Sequence, residues 1–153
     1  MILRKTTISD AKLLFEWSND SVTRKNSFSD KPIVWEEHLQ WLTKKLNNNT
    51  CFFYIAEDNG MSVGTIRMDA DEALKEVIIS YSVAPTSRGK GYGTLILEKA
   101  SEVLPRTFSG YTLIGKVKTD NLPSRKCFEK SGFIAGETVE ENGVEEVVFS
   151  KKL

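Results

Sequence analysis

Histidine, cysteine and proline are scarce in this chain, and charge of one sign is not in excess. Its 153 residues include one histidine, two cysteines and four prolines, and 21 basic side chains balance 21 acidic ones. A net charge of zero gives no overall field that would attract nucleic acid or a membrane surface, so any phosphate binding must be local. Cys51 and Cys127 have neither metal-ligand nor disulfide-framework spacing, and we interpret them as buried free thiols without a metal.

The chain also lacks a long uncharged segment and has no basic and apolar leader after Met1. These absences predict a soluble, cytoplasmic protein without a membrane segment. With 40% apolar residues, a chain of this length can bury one substantial core. We therefore expect residues 1–153 to form a single domain.

A glycine-rich turn is the most informative segment. Gly89, Gly91 and Gly93 alternate with other residues, and an apolar helical pattern begins directly afterwards. Glycines permit a tight turn that presents backbone N–H groups at a helix start, where the helix dipole and the charges of Arg88 and Lys90 favour a phosphate or pyrophosphate. The spacing fits neither a Walker A loop, which needs a lysine after its last glycine, nor a dinucleotide fingerprint.

The remaining pattern predicts alternating strands and helices. Strands are expected at residues 2–5, 51–57, 63–69, 76–83, 111–118, 133–139 and 144–150. Helices are expected after an N-cap at Ser9, at 34–46, at 92–104, and from Asn121 to a C-cap at Gly132. Three consecutive strands therefore lead into the glycine turn and its helix.

The segment 21–32 is polar and turn-forming, and we interpret it as a loop long enough to bind a ligand. The helix at 34–46 carries two stripes at helical spacing, one with Leu39 and Leu42 and one with His38 and Trp41. A single buried face does not need both stripes. His38 and Trp41 are therefore candidates to face a substrate pocket beside this loop, the alternative being peripheral core and surface positions.

Two motifs carry a resemblance to a known family. Arg88-x-x-Gly91-x-Gly93, after a strand ending Val83-x-Pro85, resembles motif A of the GCN5-related N-acetyltransferases (GNAT). The segment 119–133, with Asn121, Ser124 and Gly132-Phe133, resembles motif B of the same family. The resemblance covers essentially the whole chain. It implies an α/β (α+β) fold with a mixed, mostly antiparallel sheet, helices on both faces, and splayed fourth and fifth strands.

The resemblance also implies the coenzyme site and the chemistry. Acetyl-CoA would be the cosubstrate, with its pantetheine arm held by the backbone near Val83 between the splayed strands. The pyrophosphate and the rest of the coenzyme would contact the following residues: Arg88, Gly89, Lys90, Gly91, Tyr92, Gly93, Thr94, Asn121, Ser124 and Phe128. A primary amine would then attack the thioester, which requires a proton acceptor, an oxyanion donor and help for the leaving thiolate.

One departure from the family affects the general acid. Many relatives have a tyrosine in motif B that protonates the thiolate, and Phe128 stands at that position here. Ser124, Tyr81 or water could supply the proton, or the thiolate could leave unassisted. For the general base, His38, Glu37 and an ordered water chain are all compatible with the sequence.

In the N-terminal half, the segments 15–20, 23–28 and 35–42 are similar to acetyltransferases of pseudaminic-acid-type sugar biosynthesis, which implies transfer to the 4-amino group of a UDP-linked dideoxy sugar. The candidate acceptor-binding residues are Arg24, Asn26, Trp35, His38, Trp41 and Arg67. Aromatic rings could stack on a sugar or uracil, and the arginines could meet nucleotide phosphates. The alternatives are N-terminal acetylation of a ribosomal protein and a non-catalytic acyl-CoA-binding module. A homodimer that pairs through an exposed last strand is also possible.

Overall fold

The computed structural model describes all residues from Met1 to Leu153. Its strands are β1 (Ile2–Lys5), β2 (Cys51–Asp58), β3 (Met61–Asp71), β4 (Glu76–Val83), β5 (Thr112–Lys118), β6 (Ile134–Glu141) and β7 (Val144–Lys152). Its helices are α1 (Ala11–Ser18), α2 (Ser21–Lys25), α3 (Trp35–Leu46), α4 (Tyr92–Val103) and α5 (Leu122–Lys130). None of these helices combines the length and the apolar run that crossing a membrane requires.

The seven strands form one sheet in the order β1-β2-β3-β4-β5-β7-β6. Only β4 and β5 run parallel, and every other neighbouring pair is antiparallel. The predicted mixed, mostly antiparallel sheet is therefore confirmed. A tight hairpin turn joins β2 to β3, where Asn59 and Gly60 have the positive φ values of 50° and 78° that such a turn requires.

Helices cover both faces of the sheet. On one face, α4 and α5 bury the larger core, in which the Phe128 ring stacks on Phe149 with centroids 5.3 Å apart. A Cβ on Gly115 would lie 2.3 Å from Phe128, so only glycine lets α5 approach β5 this closely. On the other face, α1 and α3 enclose a smaller core with side chains of β2.

The fourth and fifth strands separate, as predicted. Their parallel pairing begins at Glu76 and Thr112 and ends where Ile79 meets Gly115. Beyond that point β4 continues to Val83 and β5 continues to Lys118 without pairing to each other. Unpaired strand edges therefore face each other across a gap, which is the candidate functional site.

Three local predictions were wrong. Ser9 does not cap a helix: it lies inside a short 3₁₀ turn whose N-cap is Thr7, because Asp10 bonds back to the Thr7 backbone N–H in a capping box. The segment 21–32 is not loop throughout, since Asp20 caps α2 within it. The last strand, β7, is not an edge, because it lies between β5 and β6. The exposed edge strand is β6, all of whose residues are exposed.

Candidate active site

A cavity of about 600 Å³ fills the gap between β4 and β5. Three groups of residues line it: the ends of the two strands, the glycine turn, and α5 with its N-cap. A fourth side is formed by α2 and the segment after it, through Val22, Thr23, Asn26, Ser27 and Phe28. Apart from Arg88 and Lys116, no lining residue is charged.

The glycine turn has the conformation that an anion site requires. Gly89 and Gly91 have φ values of 75° and 84°, and Gly91 is the N-cap of α4. A glycine N-cap has no side chain to satisfy the first N–H groups of the helix, which leaves them available to a ligand. A Cβ on either glycine would meet no atom within 4 Å, so the turn is open on that side.

Arg88 connects this turn to α2. Its Nη2 atom donates to Asp20 Oδ2 at 2.6 Å and to Thr23 Oγ1 at 3.2 Å. The same Asp20 oxygen accepts from the Thr23 backbone N–H and caps α2. Hydrogen bonding to Arg88 holds the pKa of Asp20 below its usual value. The arginine expected at the pyrophosphate therefore also fixes the start of the helix on the opposite side of the cavity.

The α5 side of the cavity carries a partly buried pair of hydroxyl groups. The hydroxyl of Tyr81 and the Oγ atom of Ser124 are 2.9 Å apart, and Asn121 caps α5 by accepting from the Ser124 backbone N–H. Burial raises the pKa of Tyr81, so this hydroxyl keeps its proton at neutral pH. Phe128 packs edge-on against the Tyr81 ring at 5.6 Å and contributes no polar atom.

A second cavity, of about 640 Å³, adjoins the first at Phe28. Its lining residues are Asn19, Ser21, Arg24, Lys25, Phe28, Asp30, Pro32, Lys118 and Val144. Lys118 reaches across to α2 and donates to the Lys25 carbonyl oxygen at 2.7 Å. Three basic side chains thus face one acidic side chain. Together with Lys116 in the first cavity, they make this end of the cleft basic.

Arg24 lies at this basic end, but internal contacts occupy its guanidinium group. Nε donates to the Ser18 carbonyl oxygen at 2.6 Å, and Nη1 donates to the Ser29 carbonyl oxygen at 3.1 Å. Burial lowers its pKa. Arg24 therefore holds the segment after α2 in place. Asn26, on the same segment, does line the first cavity.

His38 and Glu37, expected as candidate bases, are not among the residues of either cavity. His38 is 3% exposed, and its Nε2 atom lies 2.9 Å from the Ala11 carbonyl oxygen. Burial lowers its pKa, so the ring is neutral. The Ala11 contact accounts for the second stripe of α3, because it places the imidazole between α3 and α1. Glu37 is exposed in the first turn of α3.

The expected aromatic and basic acceptor residues form a separate cluster on α3 and β3. Trp35 and Trp41 pack on opposite sides of His38, at centroid distances of 6.0 and 5.9 Å. The Arg67 guanidinium lies 5.1 Å over the Trp41 ring and pairs with Asp69 at 2.8 Å. None of these side chains lines either cavity, although Arg67 Nη2 lies 3.3 Å from Oγ of Ser80, which does.

Sequence reasoning missed Asp20, Lys116 and Lys118. The signal for Asp20 was available, since Asp20-x-x-Thr23 has the spacing of an N-cap. The lysines alternate with the buried residues Gly115 and Val117 on β5, which is typical of a strand with one polar face. That pattern alone does not show which ligand the polar face meets.

Comparisons with known proteins agree with this geometry. The family model described as "Acetyltransferase (GNAT) domain" matches residues 1–134. YwnH of Bacillus subtilis (strain 168), provisionally named a phosphinothricin acetyltransferase, is 26% identical over 139 residues, with 87% of this chain and 83% of that protein covered.

Two solved structures show the same fold. An aminoglycoside acetyltransferase in complex with coenzyme A superposes with a TM-score of 0.83 at 22% identity, covering 98% of this chain and 93% of that one. A ribosomal-protein-alanine N-acetyltransferase from Brucella melitensis superposes with a TM-score of 0.82 at 22% identity, covering 100% of both chains.

The fold, the splayed strands and the glycine turn at a helix start define an acyl-transferring enzyme class, and the chain belongs to the GNAT acetyltransferase family. It is an acetyl-CoA-dependent N-acetyltransferase, with acetyl-CoA as cosubstrate and an amine as acceptor.

Proposed function

We propose that this enzyme acetylates the primary amine of a small molecule that also carries negative charge. The particular acceptor we propose is the 4-amino group of a UDP-linked dideoxy amino sugar. The observation that supports this choice is the basic end of the cleft, where Lys116, Lys118 and Lys25 line the two cavities and Asp30 is the one acidic lining residue. Nucleotide phosphates are the complementary charge for such a surface.

For the coenzyme, we propose that the glycine turn holds the pyrophosphate. The backbone amides of residues 88–94 and the ammonium of Lys90 provide the positive charge that complements the pyrophosphate. The free edge of β4 near Val83 provides backbone hydrogen-bond partners for the pantetheine arm. Asn121, Ser124 and Phe128 form the opposite wall. The positive φ values of Gly89 and Gly91 and the open space beside them support this placement.

The acetyl-CoA thioester supplies an activated acyl group. We propose that the protein holds the amine on the α2 side and the thioester in the gap between β4 and β5, so that proximity provides much of the rate. The Tyr81 and Ser124 hydroxyls then donate a proton to the leaving sulfur. Their 2.9 Å separation and the raised pKa of Tyr81 support this role, because a neutral phenol is a donor and not a base.

For the proton that the amine loses, water is the acceptor we propose among the three alternatives. His38 keeps its Nε2 atom 2.9 Å from the Ala11 carbonyl oxygen, and Glu37 is exposed on the outer surface of α3. We further propose that residues 1–153 act as one catalytic domain. The cytoplasmic location and the homodimer stay predictions of the sequence.

Acceptor turnover tests the proposal. The purified protein is given acetyl-CoA and one of four amines: a UDP-linked 4-amino-dideoxy sugar, the same amino sugar without UDP, phosphinothricin, or peptides that begin with Ser or Ala. Release of free coenzyme A thiol is measured. We expect the highest kcat/KM with the UDP-linked sugar, and at least about tenfold less without UDP because two phosphate contacts are lost.

Turnover of the peptides alone would assign the enzyme to protein N-terminal acetylation and would contradict the proposal. Coenzyme binding with no turnover of any amine would favour a non-catalytic acyl-CoA-binding module instead. Preference for phosphinothricin over the UDP-linked sugar would support an anionic acceptor but would exclude the sugar nucleotide as that acceptor.

A further inference from the structure

Phe28 is an exposed aromatic side chain inside the cleft. It is 59% exposed, and it is the one residue that lines both cavities. Of the eight phenylalanines, it is the only one that packs against no other aromatic ring, and it belongs to neither core. Single exposed apolar side chains are common on protein surfaces. The position of Phe28 between the cavities, and not its exposure by itself, therefore points to a ligand.

The backbone on both sides of Phe28 is held by Arg24. Nη2 of Arg24 donates to Ser27 Oγ at 3.1 Å, and Nη1 donates to the Ser29 carbonyl oxygen at 3.1 Å. Ser27 Oγ in turn donates to the Thr23 carbonyl oxygen of α2 at 2.6 Å. The Phe28 ring thus stands on an anchored segment. A ligand that packs on such a ring loses little binding energy to the ordering of the protein.

The contents of the two cavities determine which part of an acceptor passes this ring. The first cavity contains the gap proposed for the thioester, and the second is lined by Lys25 and Lys118. An acceptor with its amine in the first cavity and its negative group in the second must extend past Phe28. In a sugar nucleotide, the sugar ring lies between the 4-amino group and the phosphates. That ring is the part that would meet Phe28.

We propose that Phe28 is a specificity-determining residue, whose ring packs against the apolar face of the ring that carries the acceptor amine. The substrate class is then a cyclic amine with a negative group across the ring from the amine. This inference rests on the proposed function and narrows it, because a flat aromatic surface favours a cyclic acceptor over an acyclic one of equal charge. Phe28 takes the place expected for Trp35 and Trp41, neither of which lines a cavity.

Binding measurements on ring variants test this role. The wild type, Phe28→Ala and Phe28→Tyr are saturated with coenzyme A and titrated calorimetrically with the UDP-linked amino sugar and with the same sugar without UDP. Phe28→Ala should raise both Kd values at least about tenfold and by the same factor, because the ring contact does not involve UDP. Phe28→Tyr keeps the flat ring and should bind both sugars within about twofold of the wild type.

Leu74→Ala is the matched control. Leu74 is 67% exposed in the turn between β3 and β4, outside both cavities, and its loss should leave both Kd values unchanged. Phe28→Ala should also keep the wild-type unfolding temperature and the wild-type Kd for coenzyme A alone. Unchanged sugar binding in Phe28→Ala would overturn the proposal, and so would an equal loss in Phe28→Ala and Phe28→Tyr.

Hydrolysis of acetyl-CoA without an acceptor separates acceptor binding from a second role for the ring, the exclusion of water from the thioester. We expect the hydrolysis rate of Phe28→Ala to match that of the wild type. Faster hydrolysis together with unchanged sugar binding would assign Phe28 to the exclusion of water and would overturn the proposal.

The two proposals fail in different ways. If the wild type binds the sugar without UDP as tightly as the UDP-linked sugar, the anionic acceptor fails, while a tenfold loss for both sugars in Phe28→Ala still supports the role of the ring. A clear preference for the UDP-linked sugar with no effect of Phe28→Ala would support the proposed function and overturn the role of Phe28. Preference for phosphinothricin, which is acyclic and anionic, would contradict the cyclic class alone.

Discussion

The two sides of the cleft are built in different ways. The proposed coenzyme side comes from two short segments, residues 83–94 and 121–128, each continuous in sequence and each at the start of a helix. The proposed acceptor side joins α2 to β5 and β7, and Lys25 on α2 is 93 residues from Lys118 on β5 along the chain. A contact such as Lys118 Nζ to the Lys25 carbonyl oxygen exists only through the tertiary fold. The proposed coenzyme site therefore depends on short motifs, and the proposed acceptor site depends on long-range packing.

The largest effect is expected on the coenzyme side. Gly91→Glu should weaken acetyl-CoA binding by at least about 100-fold, because a carboxylate would project beside the α4 N–H groups that a phosphate needs. Calorimetric titration with acetyl-CoA measures the loss. Gly110→Glu is a matched control, since Gly110 has a similar φ of 89° and open space around it but lies outside the cleft.

An equal loss in both glycine variants would show that backbone strain, and not the phosphate site, causes the effect. Unchanged acetyl-CoA affinity in Gly91→Glu would show that the glycine turn does not bind the coenzyme.

The second-largest effect is expected on kcat, which reports the chemical step. Tyr81→Phe removes the hydroxyl that bonds to Ser124 and should lower kcat by about 100-fold while the KM for acetyl-CoA stays the same. Because the pKa of Tyr81 is raised, its ionisation should produce no loss of rate in the wild type below about pH 10. Steady-state kinetics over pH 6 to about 10 measure both quantities.

Tyr54→Phe is the control for this variant, because the Tyr54 hydroxyl lies 3.5 Å from the Val103 carbonyl oxygen, outside the cavity. An unchanged kcat in Tyr81→Phe would indicate that the thiolate leaves without a proton from this pair.

The sequence predicted the local structure of this side, the glycine turn before α4 and the N-cap of α5. Glycine spacing and the motif at Asn121 and Ser124 indicate a local backbone conformation that neighbouring residues alone can produce. The seven strands followed from the same kind of local pattern, whereas the separation of β4 from β5 followed from the resemblance to the GNAT family. Phe128 has no proton to give, and its stacking on Phe149 shows that its ring packs in the core under α5.

The acceptor side could not be predicted in the same way. Arg24 and Arg67 carry the charge expected for phosphate binding, but which carbonyl or carboxylate oxygens occupy them depends on contacts that the sequence does not show. The sequence shows both stripes of α3. It does not show that α1 packs on one of these stripes and buries His38.

Trp41→Ala tests whether the aromatic cluster on α3 belongs to the acceptor site. We expect a smaller effect for this variant. Loss of its contacts with His38 and Arg67 should lower the free energy of unfolding by about 1–2 kcal/mol, since Trp41 is 36% exposed. The KM values for acetyl-CoA and for the acceptor should both stay unchanged. A selective rise in the acceptor KM would place Trp41 in the acceptor site, as the sequence alone suggested.

The smallest effect concerns the contact that joins the two sides. Asp20→Asn keeps an N-cap for α2 but weakens the bond to Arg88, and should lower the free energy of unfolding at pH 7 by about 0.5–1 kcal/mol. The folded-state pKa of Asp20 is lowered, so its contribution is present above the ordinary carboxyl pKa and is lost as pH falls through the folded value. The difference between variant and wild type should therefore shrink in acid.

Urea unfolding at pH 7 and about pH 3 measures this difference. Asp30→Asn, in the exposed segment after α2, is the control and should show no such pH dependence. A difference that stays the same at both pH values would contradict an ionic role for Asp20.

Amide chemical-shift mapping of the wild type with coenzyme A tests the division of the cleft most directly. We expect the largest shifts at Val83, at residues 88–94 and at Asn121 and Ser124, while Lys25, Lys118 and Val144 stay unperturbed until the acceptor is added. Shifts from coenzyme A alone that centre on Lys25, Lys118 and Val144 would contradict the proposed division of the cleft, because the basic end would then bind the coenzyme.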